Sequence, residues 1–250
     1  MFEVTVLGIL QGVAEFLPIS SSGHLVLAQH ILGVNAPGVR LDVMLHLGTL
    51  ASIVVFYFST LKRIVVNFEW RYVLMIAVSA LPAIAVYLLF GDFVQSLFEN
   101  AKMVGALLMF TGAVLIGTRY LPQGEKDVSP LRALAMGLGQ ALALLPGVSR
   151  SGMTLASARG GGVEPGKAAE FSFLMSAPLI AGAALLEIFK GAAGADDAGV
   201  SWGLTVYGAA LAAVVGYFSL KLLVKALNGR WFWLFGPYCL ATGLLALILI

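Results

Sequence analysis

The sequence predicts an all-α membrane protein with six transmembrane helices and two re-entrant helix hairpins, arranged as an inverted-topology repeat. Three observations lead to this fold class. Only 11% of the residues are charged and 60% are hydrophobic, whereas about a quarter of the residues of a soluble domain are charged. The apolar runs are unbroken, unlike the alternating strands of a membrane barrel. Two pairs of short apolar segments are interrupted by Pro, Gly and Ser.

The first interrupted pair covers residues 2–17 and 24–33, separated by Pro18 to Gly23. Each piece is shorter than the about 20 residues that a spanning helix needs. A hairpin that enters the membrane and returns to the same side explains both features, since irregular backbone at that depth is tolerated where protein or a wet cavity surrounds it. The second pair, 131–145 and 151–160, is interrupted in the same way.

Six apolar stretches of spanning length account for most of the remaining chain. They cover residues 41–61, 72–90, 103–121, 168–189, 201–222 and 231–250. We therefore treat residues 1–250 as a single membrane domain, in which 1–122 form the first repeat and 131–250 the second.

Loop charges predict the orientation. The loops after the first, third and fifth spans are basic and contain Lys62, Arg63, Arg71, Arg119, Lys126, Arg132, Lys221, Lys225 and Arg230. The loops after the second and fourth spans are mixed and contain Asp92, Glu99, Lys102, Lys190, Asp196 and Asp197. By the positive-inside rule the basic loops face the cytoplasm, and both termini face outward.

The two hairpins also match each other in sequence. The spacing Gly8–Gln11–Gly23 recurs as Gly137–Gln140–Gly152. Three crossings in the first half place the second half upside down relative to it. Binding sites of such inverted repeats lie near mid-membrane, where the broken helices meet.

The first hairpin contains an intramembrane carboxylate. Gln11 and Glu15 are four residues apart and share one helix face. An ionised carboxylate in an apolar segment is costly unless it is paired or bound to a cation. The pair therefore predicts a divalent-cation site, for Mg²⁺ or Ca²⁺; the alternative is a structural glutamate bonded to a neighbouring turn or helix.

Hydroxyls follow at the start of the next short helix. Ser20, Ser21, Ser22 and Gly23 place backbone N–H groups and three hydroxyls where an anion, above all a phosphate, is attracted. Helix capping alone accounts for one of the serines. His24 is either a base or proton donor or a hydrogen-bonded wall residue. A structural role is predicted for His46, which lies in the first full span without flanking hydroxyls.

The second hairpin adds an arginine at the matching helix start. Arg150 lies between Ser149 and Ser151 and precedes Gly152, and its planar fork suits phosphate oxygens. Thr154 lies one turn farther along the same helix. The alternative is an arginine that extends to the lipid headgroups.

These groups together suit phosphoryl transfer, in which positioning and charge neutralisation supply most of the catalysis. An inverted-repeat transporter or lipid flippase for an anionic substrate is the alternative. A membrane scaffold leaves Glu15 and Arg150 without a purpose. The net charge of +2 and the lack of a basic cluster exclude a nucleic-acid partner. Gly105, Gly112 and Gly117 permit close helix contact within the monomer or in a homodimer.

At these residues the chain resembles the undecaprenyl-diphosphate phosphatase family, the bacitracin-resistance membrane phosphatases of bacteria. The resemblance covers essentially the whole chain and rests on two motifs, QGVAEFLPISSSGH at 11–24 and PGVSRSGMT at 146–154. Another membrane phosphatase class, the phosphatidic-acid phosphatase type, shares Ser-Gly-His and Ser-Arg elements. It requires a histidine six residues after the arginine, where this chain has Ala156.

The resemblance implies hydrolysis of the terminal phosphate of a C55 polyprenyl diphosphate, which yields the monophosphate lipid carrier for cell-wall synthesis. It implies a multi-pass protein of the bacterial inner membrane, a divalent-cation requirement and an active site facing the periplasm or cell exterior. The positions that the family uses are Glu15, Ser21, His24, Ser149, Arg150 and Thr154. Gln11 stands where many members have a second glutamate, although an amide oxygen also binds Mg²⁺ or Ca²⁺.

The proposed chemistry leaves the nucleophile open. Glu15, assisted by Gln11, holds the cation, and Arg150 and the helix N-termini neutralise the diphosphate oxygens. Ser21 attacks the terminal phosphorus, with His24 as proton acceptor. His24 itself and a cation-activated water are the two alternative nucleophiles.

Overall fold

The computed structural model describes residues 1–32, 39–191 and 200–249. Within them the fold is helical, apart from loops and one isolated β-bridge between Lys126 and Val163. The helices are α1 (Phe2–Ala14), α2 (Ser21–Leu32), α3 (Val39–Phe56), α4 (Phe58–Val66), α5 (Trp70–Phe98), α6 (Ala101–Gly117), α7 (Pro130–Leu142), α8 (Arg150–Gly160), α9 (Pro165–Gly191), α10 (Trp202–Asn228) and α11 (Phe235–Leu249). The predicted all-α fold class is confirmed. Asp196 and Asp197, used above for orientation, lie outside the described residues.

Five helices of the described part, α5, α6, α9, α10 and α11, are long and apolar enough to cross a bilayer. A sixth span is formed by α3 and α4 if this bent pair is counted as one. The protein is therefore a multi-pass membrane protein with five or six spans. The count of six stays a prediction.

The predicted span 41–61 is not one straight helix. α3 ends at Phe56, Tyr57 leaves the helical region with ψ 23°, and α4 continues at an angle of 70°. α3 alone is already 18 residues long, close to the length that crosses a bilayer. Lys62 and Arg63 therefore lie in α4, off the axis of α3.

The predicted span 72–90 ends where α5 changes direction. The helix continues to Phe98, but Phe90 has the non-helical values φ −132° and ψ 15°. The sequence predicted the end of the apolar stretch correctly but not the further helical turns that continue to Phe98.

Both predicted hairpins are present as pairs of short helices. α1 and α7 contain 13 residues each, which gives about 20 Å of helix against a hydrocarbon core of about 30 Å. The predicted pieces 2–17 and 131–145 end slightly earlier, at Ala14 and Leu142. Neither hairpin helix is long enough to cross the bilayer.

Each hairpin packs its first helix on a long helix of the other half through a close backbone contact. Gly8 of α1 lies against the carbonyl of Gly208 in α10, and Gly137 of α7 lies against the carbonyl of Ser79 in α5. These four positions form two pairs with one offset of 129 residues: 8 with 137, and 79 with 208. The halves thus make matched contacts, as a repeat requires; their opposite insertion in the membrane stays a prediction.

Two glycines of α6 pack against another helix of the same chain. Gly105 packs against the carbonyl of Gly243, and Gly112 against that of Gly236, both on the α11 side. Gly117 has no atom of another residue within 4 Å of where its Cβ would stand. Two of the three predicted contact glycines are therefore occupied by α11, and the homodimer stays a prediction.

The largest core cluster lies directly beneath the tip of the first hairpin. Phe16 is fully buried and its ring meets that of Phe173 in α9 edge-on, with centroids 5.5 Å apart. Tyr57 also stacks with Phe173, with ring centroids 6.5 Å apart. This aromatic group packs the turn that follows α1 against α9.

Candidate active site

The tips of the two hairpins touch each other. Gly23 at the start of α2 faces Gly147, whose Cα would be 3.0 Å from a Cβ at position 23. Gly152 at the start of α8 faces Pro18, whose Cβ would be 3.5 Å away. Ser151 Oγ donates a hydrogen bond to the carbonyl of Leu17 at 3.3 Å. A side chain larger than hydrogen at Gly23 would separate the tips.

The same cap stabilises the start of both helices. Ser20 Oγ accepts the N–H of Gly23 at 3.3 Å, and Ser149 Oγ accepts the N–H of Gly152 at 3.1 Å. Each capping serine also contacts the hydroxyl two residues later, at 3.4 Å for Ser22 and 3.3 Å for Ser151. Two helix N-termini, each with a positive dipole end, are thereby brought to one place.

Neighbouring long helices hold the two turns in place. Thr111 Oγ1 in α6 donates to the carbonyl of Gly147 at 2.9 Å and accepts the N–H of Ser149 at 3.1 Å. On the other side, the buried thiol of Cys239 in α11 donates to the carbonyl of Pro18 at 3.5 Å.

A cavity of about 360 Å³ opens where the tips meet. Its polar lining consists of Glu15, Ser20, Ser21, Ser22, Asp42, His46, Gln140, Ser149, Arg150 and Ser176. On one side its apolar lining consists of four residues of α9 and one of α5, namely Leu179, Ile180, Ala183, Ala184 and Ala83. Six of the predicted site residues, Glu15, Ser20, Ser21, Ser22, Ser149 and Arg150, line this cavity.

Glu15 and Arg150 join the two hairpins across the cavity. Glu15 is 7% exposed, and its Oε1 pairs with Nη2 of Arg150. Its Oε2 accepts from Ser21 Oγ at 2.8 Å and from Gln11 Nε2 at 3.2 Å. The carboxylate is therefore paired, as the cost of burying a charge requires, and one of its donors is the predicted nucleophile.

Arg150 keeps part of its fork unused. Its Nη1 is buried and has no hydrogen-bond partner among the described residues. Because Arg150 lines the cavity, this unpaired guanidinium nitrogen is suited to bind an oxyanion that enters there. Arg150 thus lies inside the protein, where it pairs with a carboxylate of the other hairpin, and does not take the position of the alternative, an arginine at the lipid headgroups.

His46 lies at the cavity, a position that the sequence did not predict, and the structural role predicted for it stays a prediction. His46 lines the cavity, and its Nδ1–H donates to the carbonyl of Asp42 at 2.9 Å. This bond directs Nε2 toward Glu15 Oε2, 4.0 Å away. The sequence shows that α3 is apolar, but the face that it turns to the hairpin tips is set by its packing on α10.

His24 is hydrogen-bonded through both ring nitrogens, which agrees with the second of its two predicted roles, a hydrogen-bonded wall residue. Its Nδ1 donates to the carbonyl of Ser20 at 2.9 Å, and its Nε2 contacts the hydroxyl of Tyr238 at 2.8 Å. The two rings stack with centroids 5.5 Å apart. His24 is absent from the cavity lining, so both of its nitrogens serve to hold the turn at Ser20.

The remaining predicted residues lie behind the cavity wall. Thr154 Oγ1 donates a hydrogen bond to the carbonyl of Arg150 at 2.9 Å and is within hydrogen-bond distance of Ser172 Oγ at 2.6 Å. Thr154 thereby links the backbone of Arg150 to α9. Gln11 is fully buried and reaches Glu15 with its Nε2. Gly23, Ser151 and Gly152 form the contact between the tips.

The oxygen donors at the cavity fit a divalent cation, and Gln11 and Glu15 as its ligands stay a prediction. No three His, Cys, Asp or Glu residues in the described chain lie close enough together to hold a metal ion by themselves. Gln11 Oε1 and Asp42 Oδ1 are both buried without a hydrogen-bond partner among the described residues, but only Asp42 lines the cavity. Mg²⁺ is commonly bound through one or two carboxylates plus substrate phosphates and water, which fits an oxygen donor at this place.

The comparison with known proteins is decisive about the family. The model for the bacitracin resistance protein BacA matches residues 4–245. The chain belongs to the BacA family. This confirms the resemblance that the two hairpin motifs carried.

Curated relatives match over nearly their whole length. An undecaprenyl-diphosphatase of Desulforapulum autotrophicum is 37% identical over 99% of this chain and 98% of its own. The undecaprenyl-diphosphatase of Halothermothrix orenii is 38% identical over 100% and 98%, and that of Thermotoga petrophila is 37% identical over 96% and 97%.

Proposed function

We propose that the protein is an undecaprenyl-diphosphatase, which releases the terminal phosphate of undecaprenyl diphosphate and leaves the monophosphate lipid carrier. The observation that carries this proposal is the contact of Glu15 with both Ser21 and Arg150 in one cavity. A carboxylate, a hydroxyl and a guanidinium are the base, nucleophile and anion clamp of a phosphoryl transfer. The curated relatives named undecaprenyl-diphosphatase and the family name bacitracin resistance protein point to the same reaction. On this proposal the reaction supports cell-wall synthesis and bacitracin resistance.

The diphosphate itself prepares the base. Before substrate enters, Arg150 pairs with Glu15. Substrate phosphate oxygens approach the unpaired Nη1 of Arg150 and the N-termini of α2 and α8, and so compete with Glu15 for the guanidinium. Glu15 then loses part of its neutralisation, which makes it a stronger proton acceptor for Ser21.

Transfer proceeds in two steps. Ser21 Oγ attacks the terminal phosphorus while its proton moves to Glu15 Oε2, 2.8 Å away; the bridging P–O bond breaks, and undecaprenyl monophosphate leaves with its electron pair. After the proton has passed to solvent, Glu15 accepts a proton from water, whose oxygen attacks the phosphorus of the phosphoserine. The bond between Ser21 Oγ and phosphorus breaks, Glu15 returns the proton to Ser21 Oγ, and inorganic phosphate leaves. The positive charge of Arg150 and the helix N–H groups stabilise the equatorial oxygens in both steps.

Ser21 is preferred to the other two nucleophiles because of its position. It lines the cavity and already donates to the base, whereas His24 uses both nitrogens outside the cavity lining. His24 acts as a positioning residue for the turn at Ser20. When bound, a divalent cation supplies additional neutralisation of the diphosphate charge.

The cavity is closer to the face with few basic residues. Its lining takes Asp42 and His46 from near the start of α3 and Ala183 and Ala184 from the second half of α9. The basic groups Lys62 and Arg63 follow the opposite end of α3, and Arg132 begins α7 on that same side. By the positive-inside rule this supports an active site that faces the periplasm or cell exterior.

The apolar wall from α5 and α9 suits the first units of the prenyl chain. Ala83, Leu179, Ile180 and Ala183 present hydrocarbon beside the polar tips. A lipid diphosphate then places its headgroup between the hairpins and its tail along this wall toward the bilayer.

The direct test is phosphate release by the purified protein in detergent with Mg²⁺ or Ca²⁺. We expect turnover of undecaprenyl diphosphate by the wild type. Movement of the intact lipid diphosphate across reconstituted vesicles without phosphate release would contradict the proposal and favour the transporter or flippase alternative.

A further inference from the structure

We infer that Asp42 is the side chain that binds the divalent cation with the substrate diphosphate, an inference that rests on the proposed function. Asp42 Oδ1 is buried and has no hydrogen-bond partner among the described residues. The side chain lines the same cavity as Glu15, Ser21 and Arg150. A buried carboxylate oxygen without a donor is costly, and a cation offsets that cost.

The other carboxylate of the cavity is already neutralised. Glu15 gives one oxygen to Arg150 and the other to Ser21 and Gln11. A cation on Glu15 would compete with the proton that Glu15 receives from the nucleophile. A cation on Asp42 leaves the hydrogen bond from Ser21 to Glu15 intact.

Gln11 does not reach the diphosphate. Its Oε1 is unpaired but fully buried, and the residue is absent from the cavity lining. Its Nε2 faces Glu15, so the amide acts as a donor that positions the base. This arrangement explains how glutamine is tolerated where a second glutamate was expected.

The partner of Asp42 in the sequence repeat strengthens the contrast. Glu170 aligns with Asp42 within one residue and lies in the corresponding part of α9. It accepts from Thr60 at 2.8 Å and from Tyr72 at 3.4 Å, and it forms an ion pair with Arg63 at 3.5 Å. Of these two acids, Glu170 is satisfied by protein donors and Asp42 is left for a ligand.

The chemistry predicts a cation that binds together with its anion. The described chain contains no cluster of three or more acidic, His or Cys ligands around one point. One carboxylate plus two phosphate groups and water is the type of site that Mg²⁺ occupies with phosphorylated substrates. The protein alone therefore binds the cation weakly, and the diphosphate tightens it.

The test measures binding without turnover. Purified full-length protein in detergent is titrated with Mn²⁺, with and without farnesyl methylenediphosphonate, whose bridging carbon prevents hydrolysis. Free Mn²⁺ is followed by electron paramagnetic resonance. We expect Asp42→Asn to weaken Mn²⁺ binding in the presence of the analogue by at least the roughly tenfold loss typical of disturbed metal sites, and Asp42→Glu, which keeps the carboxylate, to retain part of it.

Glu170→Gln is the matched control, because it removes a carboxylate from the equivalent place in the other half and should leave Mn²⁺ binding at the wild-type value. A thermal melt of every variant separates loss of the ligand from loss of the fold. Wild-type Mn²⁺ affinity in Asp42→Asn, or no Mn²⁺ binding by the wild type with the analogue, would overturn the inference.

A second measurement needs no variant. Wild-type protein labelled with ¹³C at the aspartate carboxyl groups should show a hyperfine coupling between ¹³C and bound Mn²⁺, since Asp42 is the described aspartate that lines the cavity. Absence of the coupling overturns the inference. Phosphate release by the wild type is measured separately, so failure of the enzyme proposal and failure of the cation ligand give different results.

Discussion

The two hairpins have nearly the same scaffold and different chemistry. Both begin their second helix with a serine cap onto a glycine N–H, and each glycine faces the turn of the other hairpin. At the same offset of 129 residues, Glu15 corresponds to Leu144, Ser21 to Arg150 and His24 to Met153. The residues that the two halves share form the scaffold of the cavity. The residues that differ between the halves supply the proposed base Glu15, the nucleophile Ser21 and the phosphate-binding Arg150.

Serine side chains also diverge between the hairpins. Ser151 is fully buried and bonded to the carbonyl of Leu17, whereas its counterpart Ser22 lines the cavity. The first hairpin thus offers three hydroxyls to the cavity, and the second uses one of its hydroxyls to support the first. An enzyme made from two equal halves becomes asymmetric in this way without changing its backbone contacts.

The largest effect should follow removal of the nucleophile from the first hairpin. Ser21→Ala should lower kcat by roughly 10⁴–10⁶-fold, the range for loss of a catalytic nucleophile or its base. Ser22→Ala, one residue away in the same cavity, is the matched comparison and should lose far less. Steady-state phosphate release measures both, and a Ser21→Ala rate within tenfold of wild type would assign the attack to water or to His24.

Removal of the clamp from the second hairpin should have the next largest effect. Arg150→Ala should lower kcat/KM by about 10²–10³-fold, as for loss of one preorganised charge donor. Arg150→Lys should recover only part of this loss, because an ammonium lacks the planar fork.

The control is Arg159→Ala, which changes the same residue type at the other end of α8. Arg159 bonds the carbonyl of Leu121 and is absent from the cavity lining, so its loss should affect stability more than turnover. Equal kinetic losses at Arg150 and Arg159 would show that α8 matters only as a structural element.

Substitution of His24, the counterpart of Met153 in the second hairpin, should have a modest effect on kcat. His24→Gln breaks the bond to Tyr238 and disturbs the one to Ser20, at about 1 kcal/mol for a hydrogen bond, so kcat should fall by less than about tenfold. Tyr238→Phe, which removes the same contact from the other side, should cause a similar or smaller fall. A loss above 10³-fold in His24→Gln with a wild-type rate in Tyr238→Phe would return His24 to the chemistry.

Substitutions of the capping serines Ser20 and Ser149 should have the smallest effects, and these effects should be on stability. Ser149→Ala should lower the free energy of unfolding by about 1 kcal/mol. Ser20 has φ +70°, whereas the left-handed residue of the second hairpin is Gly147 with φ +94°; Ser20→Gly relieves the backbone as it removes the cap. Thermal melts should therefore show a smaller loss for Ser20→Gly than for Ser149→Gly, and the reverse order would contradict the assigned backbone strain.

The sequence predicted the hairpins well because their signals are local. Short apolar length, Pro and Gly interruptions and serine caps lie within a few residues of each other, and the observed helices begin within about three residues of the predicted ones. The paired Gln-to-Gly spacing also identified which segments correspond. Hydropathy gave the long helices but missed the bend at Tyr57, where the apolar α3 is followed directly by the amphipathic α4.

Asp42 and His46 were harder to predict because they reach the site from α3, far from either motif. The sequence of an apolar span does not show which of its faces packs on a neighbouring helix. In α3 one face packs on α10 through Gly48, and another faces the hairpin tips. A usable signal was present: the two residues are four apart and polar within an apolar helix, a pattern that places both on one face. Their roles depend on tertiary contacts that periodicity alone does not specify.

The central claim is that one carboxylate and one guanidinium, each from a different hairpin, act as a single unit. A double-mutant cycle of Glu15→Gln and Arg150→Gln on kcat/KM for phosphate release tests it most directly. The contact predicts strong coupling, so that the double variant loses little more than the worse single variant. Losses that simply multiply would contradict the account, since they would mean that the two tips act independently.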